Sequence, residues 1–318
     1  MPPRPAGRPL SLERSPAVPM PLAAFPKCYM DQLNVTGEMT VDDWIEQSRA
    51  LDVDGLEFYW GFTPWPDREE LHRLRDKVEA QGRSIPMMCY SPDFTRPSAE
   101  ARRAEIEQQT AALRATAHLG GSYCRVLSGQ RRPEVSREQG IAWVRDAVHE
   151  LLPVAEEQGV TLILENHYKD GYWDYPEFAQ SQDLFLELLD AIGDHPRFGV
   201  NYDPSNALIA GDDPLELLDA VKDRVVTMHA SDRYLEGGTL EDLRRMDEKG
   251  TQGYADVLEH GVVGEGLNDY DQIFSTLAEA GFDGWVSIED GQDPEHGMEH
   301  LQASARFLRE KMSAHGLS

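Results

Sequence analysis

Apolar runs of strand length alternate with amphipathic stretches of helix length along most of the chain. Residues 161–164 (TLIL) form an apolar, β-branched run that follows a glycine and stops at Glu165, which is typical of a strand buried on both faces. Seven further runs are separated by helical patterns in the same way. This alternation predicts an α/β fold with a single (β/α)8 TIM barrel. The predicted strands are residues 25–33, 54–59, 84–90, 123–127, 161–164, 198–202, 224–228 and 284–288, and the predicted helices are 40–51, 67–81, 98–119, 138–158, 181–192, 214–221, 270–280 and 298–312.

The alternation of strand and helix patterns is interrupted once, by the polar residues 231–268 between the seventh and eighth predicted strands. Since loops of that length usually carry a function, we expect a lid or a partner-binding insertion there. Residues 1–24 are rich in proline and arginine and have no continuous apolar signal segment, which predicts a disordered arm. The expected organisation is therefore an arm over residues 1–24 and one barrel over residues 25–318.

Composition narrows the function classes. The 318 residues include 30 basic and 57 acidic side chains, a formal net charge of −27, and such a surface repels nucleic acids and anionic membranes. The sequence has no apolar run long enough to span a bilayer. The three cysteines, Cys28, Cys89 and Cys124, lie far apart and lack metal-binding spacing, so we expect buried thiols in a reducing, cytoplasmic compartment.

Four consecutive predicted strands each end near a potential metal ligand, namely Glu165, Asp203, His229 and Glu289. Each alone has an ordinary alternative, such as a turn cap, a core histidine or a solvated strand end. Their recurrence at strand ends favours a shared site, because the carboxyl ends of barrel strands converge on one mouth. Three carboxylates and one imidazole predict one divalent ion, with Mn²⁺ best suited and Mg²⁺, Co²⁺ or Zn²⁺ also accepted.

Several motifs resemble those of one known superfamily. Residues 198–206 (FGVNYDPSN), 225–232 (VVTMHASD) and 281–289 (GFDGWVSIE), together with the turn 264–266 (GEG) followed by Asp269 and Tyr270, are similar to successive motifs of the xylose isomerase-like barrels. That superfamily includes sugar isomerases and epimerases, inosose-type enzymes, dehydroshikimate dehydratases and apurinic endonucleases. The resemblance implies that the four side chains named above ligate a single divalent metal.

Two positions depart from the pattern of the ketose 3-epimerases in this superfamily, which carry a glutamate and a histidine where this chain has Gly171 and Asn206. His167, in contrast, follows Glu165 by two residues, and this Glu-x-His pair is similar to that of the dehydratase and keto-glycoside-cleaving branches. The resemblance makes His167 a candidate base or substrate clamp. The alternative is an ordinary loop histidine.

A metal ion that binds the carbonyl oxygen and the neighbouring hydroxyl of a keto-sugar makes the α-proton of that sugar easier to remove. Three functions remain open from the sequence. The first is a sugar isomerase or epimerase with Glu165 and Glu289 as acid and base, the second is a lyase with His167 as base, and the third is a non-catalytic barrel subunit.

Side chains near the predicted strand ends are candidates for substrate contact, namely Asn206, Lys169, Arg233, Trp60 and Trp173. Asp232 is the expected acceptor for the second ring proton of the ligand histidine, since such histidines usually have one. The sequence lacks the glycine-rich phosphate cradle of nucleotide-binding proteins, so the expected partner is an unphosphorylated carbohydrate. We also expect a homo-oligomer or a complex with a partner subunit.

Overall fold

Nine short parallel strands form one sheet at the centre of the molecule. The computed structural model describes residues 20–63, 67–247, 257–289, 291 and 293–317. The strands of this sheet are β1 (Leu22–Ala24), β2 (Gly55–Leu56), β3 (Phe58–Tyr59), β4 (Met87–Cys89), β5 (Tyr123–Val126), β6 (Thr161–Glu165), β7 (Phe198–Tyr202), β8 (Val225–Ala230) and β11 (Trp285–Ile288).

The sheet closes on itself as a barrel. β1 pairs with β11 on one side and β2 on the other, and β3 ends the order β2-β1-β11-β8-β7-β6-β5-β4-β3. β2 and β3 are two halves of one barrel strand that is interrupted at Glu57, and a parallel bridge from Gly55 to Ser84 helps to complete the ring. The eight-stranded barrel predicted from the sequence is therefore confirmed.

Helices surround the barrel at the positions that the apolar periodicity predicts. Several begin at side-chain caps: Thr40 and Asp43 form a capping box, and Ser98 and Ser136 each accept a backbone N–H. The helices are α1 (Val41–Gln47), α2 (Arg68–Glu79), α3 (Ala99–His118), α4 (Arg137–Gln158), α5 (Gln182–Ile192), α6 (Pro204–Ala210), α7 (Pro214–Val221), α8 (Leu240–Asp247), α9 (Tyr270–Ala280) and α10 (Gly297–Ala314). The short α6 was not predicted, although Asp203 as N-cap and Pro204 at the first helical position form a helix-start signal, because it follows its strand without an intervening loop.

The first strand lies earlier than predicted. We expected it over residues 25–33, but it is Leu22–Ala24, and residues 25–33 instead contain the 3-10 turn Lys27–Tyr29 and part of the π-helical turn Gln32–Thr36. Two of the three residues of the true strand are alanines, which have weak β-propensity, and its position comes from pairing with β11 and β2. The barrel therefore begins ahead of residue 25, while residues 1–19 of the expected arm lie outside the described residues.

The insertion between the last two barrel strands has structure of its own. β9 (Arg233–Leu235) pairs antiparallel with β10 (Leu258–His260), and α8 lies between them. Leu243 of α8 and Leu258 of β10 are buried with Tyr168 and Ile209, which belong to the loop after β6 and to α6. The insertion thus packs over the mouth of the barrel where the predicted ligands end, although residues 248–256 lie outside the described part.

Two expectations from composition can be compared with the coordinates. The three cysteines are buried free thiols, as their spacing predicted. Among the helices that the structure describes, none combines the length and the apolar character needed to cross a membrane.

Gly140 of α4 packs against the loop that follows β6, and a substitution there can test how tightly the two are packed. A Cβ at this position would lie 2.2 Å from the buried ring of Phe178. We expect Gly140→Ala to lower the free energy of unfolding by about 1–3 kcal/mol, because overpacking outweighs the gain of about 1 kcal/mol in helix propensity. Gly171→Ala, where a Cβ meets nothing within 4 Å, is the matched control and should change stability little in the same urea titration. A stabilised Gly140→Ala protein would contradict this packing.

Candidate metal and catalytic site

The structure brings the four predicted ligands together at the carboxyl ends of adjacent strands. Glu165 ends β6, Asp203 directly follows β7, His229 lies near the end of β8 and Glu289 directly follows β11. All four are buried, and one ligand atom from each lies within 4.8 Å of the others. This separation is compatible with one shared ion.

The carboxylate oxygens facing this centre are incompletely satisfied by protein. Asp203 Oδ1 accepts from the Asn206 backbone N–H at 2.9 Å and from the Ser231 hydroxyl at 2.7 Å. Asp203 Oδ2 and Glu289 Oε2 are buried without a hydrogen-bond partner among the described residues. Since buried carboxylate oxygens are normally paired, these two atoms fit the role of metal ligands.

His229 is held between carboxylates on both sides of its ring. Nδ1 lies 3.1 Å from Glu165 Oε1 and 3.5 Å from Glu289 Oε2, while Nε2 lies 3.1 Å from Glu57 Oε1. Glu57 also accepts from the thiol of Cys89 at 2.6 Å, and burial raises the pKa of that thiol, which keeps its proton. Glu57 therefore orients the imidazole with Nδ1 toward the other ligands.

The expected role of Asp232 as the acceptor for His229 is wrong, since Glu57 takes that position. Asp232 instead accepts the backbone N–H groups of Gly264, Gly266 and Asn268 at 3.0–3.2 Å. A Cβ on Gly266 would lie 2.3 Å from the Asp232 carboxylate, so a glycine is needed for this approach. Asp232 thus fixes the turn that closes the insertion.

Two cations, the buried Arg125 and the partly buried Lys27, accompany the ligand carboxylates. Arg125 donates from Nη1 to Glu165 Oε2 at 2.8 Å and from Nη2 to the Ser91 hydroxyl at 2.9 Å. Lys27 donates from Nζ to Glu289 Oε1 at 3.0 Å. These contacts compensate carboxylates that would otherwise be unpaired in a region of low dielectric constant.

The charges shift the ionisation of the ligands in different directions. Burial opposes ionisation of Glu165, but the charges of His229 and Arg125 outweigh it and lower the pKa of Glu165 to about 2. Glu289 behaves in the same way, with Lys27 and His229 holding its pKa well below the usual range. For Asp203, burial prevails over the charge of Arg233 and raises the pKa to about 6. The pKa of His229 rises despite burial, because carboxylates surround it.

A cavity of about 410 Å³ opens beside this centre. Its walls include both cations and one ligand, together with a histidine and two tyrosines; these side chains are Lys27, Arg125, Glu289, His167, Tyr59 and Tyr172. The cavity has the size of a small-molecule site and combines apolar surface with convergent polar groups. A sugar-sized molecule in it would contact the candidate ligand and the candidate base together.

His167 reaches this cavity from the loop after β6. Its ring meets the Trp173 ring edge-on at a centroid distance of 6.5 Å, and its Nδ1 lies 3.7 Å from Oε2 of the buried Glu177. Burial raises the pKa of Glu177, while His167 and Ser128 act in the opposite direction. The imidazole is therefore enclosed by protein on one side and open to the cavity on the other.

The five expected substrate contacts lie elsewhere, and none of them is among the described residues that line the cavity. Asn206 and Arg233 form a chain behind the ligands: Arg233 Nη1 donates to Asn206 Oδ1 at 2.8 Å, and Asn206 Nδ2 donates to Glu165 Oε1 at 3.2 Å. Lys169 is buried and donates to the carbonyl of Asp174 at 3.3 Å. These polar side chains support the site because their hydrogen-bonding groups face its carboxylates and loops.

The two tryptophans are also buried. Trp60 packs edge-on against Tyr90, with ring centroids 6.4 Å apart, and Trp173 packs against His167. Each shields a neighbouring ring from solvent, so their aromatic area is used in loop packing. Tyr172, with 61% of its surface exposed, is the aromatic residue that the same loops leave open at the cavity.

Sequence reasoning missed four residues of this site: Lys27, Glu57, Arg125 and Glu177. Glu57 and Arg125 carried a signal, because each is a charged residue inside an apolar strand-like run and needs a partner if buried. Lys27 was hidden by the misplaced first strand. Glu177 lies in a loop between aromatic residues, where its burial leaves no trace in the sequence.

Comparison with known proteins agrees with this architecture. The family model described as "Xylose isomerase-like TIM barrel" matches residues 45–311. An inosose dehydratase from Geobacillus kaustophilus is 30% identical over 168 residues, which cover 52% of this chain and 49% of that protein. The chain spans about half the length of the curated relatives it matches.

Two solved structures illustrate the fold. An L-ribulose 3-epimerase superposes with a TM-score of 0.71 at 13% identity, covering 93% of this chain and 95% of that one. The IolI protein with a bound zinc atom superposes with a TM-score of 0.69 at 17% identity, covering 93% and 99%. With the matched family model and the converging ligand positions, these findings identify the chain as a member of the xylose isomerase-like TIM barrel family.

Proposed function

We propose that this chain is a divalent-metal-dependent lyase that eliminates water, or another β-substituent, from an unphosphorylated keto-sugar or keto-polyol. The observation that carries this proposal is the placement of His167, an imidazole that lines the same cavity as Glu289 and lies outside the ligand set. A base in that position can act while the four ligands stay engaged.

The ligand carboxylates are poor bases in this setting. Both oxygens of Glu165 are occupied, Oε2 by Arg125 and Oε1 by Asn206 and His229, and the pKa of Glu165 is lowered to about 2. Glu289 is held by Lys27 and its pKa is also depressed. A base is therefore expected among the cavity residues that lie outside these ion pairs.

The residues present fit a divalent ion, because two buried carboxylate oxygens face the centre without a hydrogen-bond partner among the described residues. Glu165, Asp203, His229 and Glu289 would hold it, and the oxygen-rich set favours Mn²⁺ while accepting Zn²⁺. When bound, such an ion supplies Lewis-acid polarisation of a substrate carbonyl.

His167 then performs the proton transfers. It removes the proton from the carbon next to the carbonyl, the electron pair of that C–H bond forms the C=C bond, and the C–O bond to the β-hydroxyl breaks. The same imidazole returns its proton to the departing hydroxide as water, so His167 is regenerated and the net change is loss of water. Lys27 and Arg125, which both line the cavity, add positive charge near the developing enolate.

A second candidate is a sugar epimerase or isomerase. The supporting observation is that Glu289 and His167 both face the cavity, so two groups are available to remove and return a proton. The sequence relative named above is a dehydratase, which supports elimination as the first proposal.

Metal binding is tested through the unpartnered oxygen of Asp203. We expect one divalent ion per chain in the wild-type protein, and stabilisation by about 2.7 kcal/mol at an ion concentration 100 times the Kd. Asp203→Asn should lower the affinity for Mn²⁺ at least tenfold, because an amide replaces a charged ligand. Calorimetric titration measures the affinity and the number of ions bound, and thermal melting with and without chelator treatment measures the stabilisation.

The control is Glu105→Gln, which changes a buried carboxylate that is bonded to Tyr90 and Arg96, and it should bind metal normally. Equal metal affinity in all three proteins would contradict the site.

The reaction is tested with His167→Gln. We expect the metal-loaded wild-type protein to convert a member of a panel of inososes, 3-keto-glycosides and ketohexoses to an unsaturated product, detected by NMR in D₂O. His167→Gln should lower that rate by about 10²- to 10⁴-fold, the usual contribution of a general base, while metal content stays unchanged.

The same experiment separates the alternatives. Deuterium incorporation with recovery of stereoisomers and no unsaturated product would replace the lyase by the epimerase. Absence of any exchange or turnover across the panel with fully loaded protein would favour a non-catalytic barrel subunit.

A further inference from the structure

Glu177 is a buried carboxylate in the loop that follows His167, and its two oxygens have different environments. Oε1 accepts the Ser128 backbone N–H at 2.6 Å and the Ser128 hydroxyl. Oε2 has no hydrogen-bond partner among the described residues and lies 3.7 Å from His167 Nδ1, an atom that is also buried and unpartnered there. Two buried polar atoms without other partners therefore face each other.

The backbone around Glu177 is fixed by bonds that do not involve Oε2. Glu177 N donates to the Tyr168 carbonyl at 2.8 Å, Phe178 N donates to the Gly129 carbonyl at 2.6 Å, and Arg131 N donates to the Pro176 carbonyl at 2.9 Å. Ser128 Oγ accepts the N–H of Ala179 at 3.0 Å. The loop is therefore held by backbone bonds and by Oε1, none of which involves Oε2.

The imidazole of His167 is correspondingly confined. Trp173 contacts the ring edge-on, Glu177 lies on the Nδ1 side, and the cavity lies on the remaining side. A ring with Nδ1 turned toward Glu177 presents Nε2 to the cavity. Which nitrogen carries the proton in such a pair is set by the hydrogen bond that the other nitrogen makes.

We propose that Glu177 is the positioning residue for His167: its Oε2 accepts a hydrogen bond from Nδ1–H and leaves the lone pair of Nε2 directed at the substrate. The inference rests on the proposed function, in which His167 is the base. The separation of 3.7 Å exceeds a hydrogen bond, and such catalytic contacts often tighten only when substrate closes the site.

The test is a double-mutant cycle on the metal-loaded enzyme with Glu177→Gln, His167→Gln and the combined variant. Glu177→Gln keeps the shape of the side chain and, with its carbonyl oxygen at the Oε1 position, the bonds from Ser128, but it replaces the acceptor Oε2 by an NH2 group that can only donate. We expect it to lower kcat by up to about 100-fold, as for a misaligned catalytic group, with KM and metal content little changed. In the His167→Gln background, the same substitution should change the residual rate by less than about twofold, because the partner is already gone.

Two further measurements keep the inference separate from effects on folding. Nitrogen-15 NMR of histidine-labelled protein should report the Nδ1–H tautomer of His167 in the wild-type protein and its loss in Glu177→Gln. Glu105→Gln, the matched substitution of a buried carboxylate elsewhere, should leave kcat and the His167 signals unchanged.

The outcomes distinguish this inference from the function on which it rests. Full activity in His167→Gln would overturn the role of His167 as base. Loss of activity in His167→Gln together with wild-type kcat in Glu177→Gln, additive effects in the double variant, or an Nε2–H tautomer in the wild-type protein would each overturn the pairing alone.

Discussion

Buried negative charge at the mouth of the barrel is the constraint on which the rest of the structure depends. Carboxylates removed from water need cations or hydrogen-bond donors, and the fold supplies these from strands distant in sequence. The buried carboxylates are Glu57, Glu165, Asp203 and Glu289, and the cationic groups that accompany them are Lys27, Arg125, Arg233 and His229. Asp203 Oδ2 and Glu289 Oε2 have no hydrogen-bond partner among the described residues, so two acceptor oxygens are left for an ion at the centre of the four strand ends.

The insertion between β8 and β11 is connected to the candidate ligands by hydrogen bonds. Asp203 accepts from the Ser231 hydroxyl, and the Ser231 carbonyl accepts from the Tyr270 hydroxyl and from the Asn268 amide. Asp232, the next residue, holds the glycine turn through three backbone N–H groups. The loop that closes the insertion is therefore tied to a ligand strand by hydrogen bonds rather than by apolar contact alone. A shift of this loop would therefore change the hydrogen bond that Asp203 accepts from Ser231, so the position of the insertion and the position of a candidate ligand are linked.

Most of the fold could be predicted from hydrophobic periodicity, because seven of the eight barrel strands are apolar runs between helical patterns. The first strand could not, since Leu22–Ala24 has little intrinsic preference and is defined by its neighbours. The ligand set was predictable because each member ends a strand in the same register. Its supporting contacts were not: Glu57 meets His229 across 172 residues and Lys27 meets Glu289 across 262, and no local pattern encodes such pairs. Asp232 was assigned by proximity in sequence, whereas the acceptor is Glu57, which lies between β2 and β3.

The charges around the candidate ligands also affect which residue can act as a base at the mouth of the barrel. Positively charged groups, among them Arg125 and Lys27, stabilise the buried carboxylates Glu165 and Glu289. The same charges lower the pKa values of these carboxylates, which makes them weaker bases. A base must then come from a residue next to the ligands yet outside their ion pairs. His167 meets this condition because alternate residues of an extended chain project to the same side, and it follows Glu165 by two positions. Glu177, which lies 3.7 Å from His167 Nδ1, belongs to the same loop after β6 and is not one of the four candidate ligands. In the proposed function, holding the metal and moving the proton are therefore the tasks of different groups.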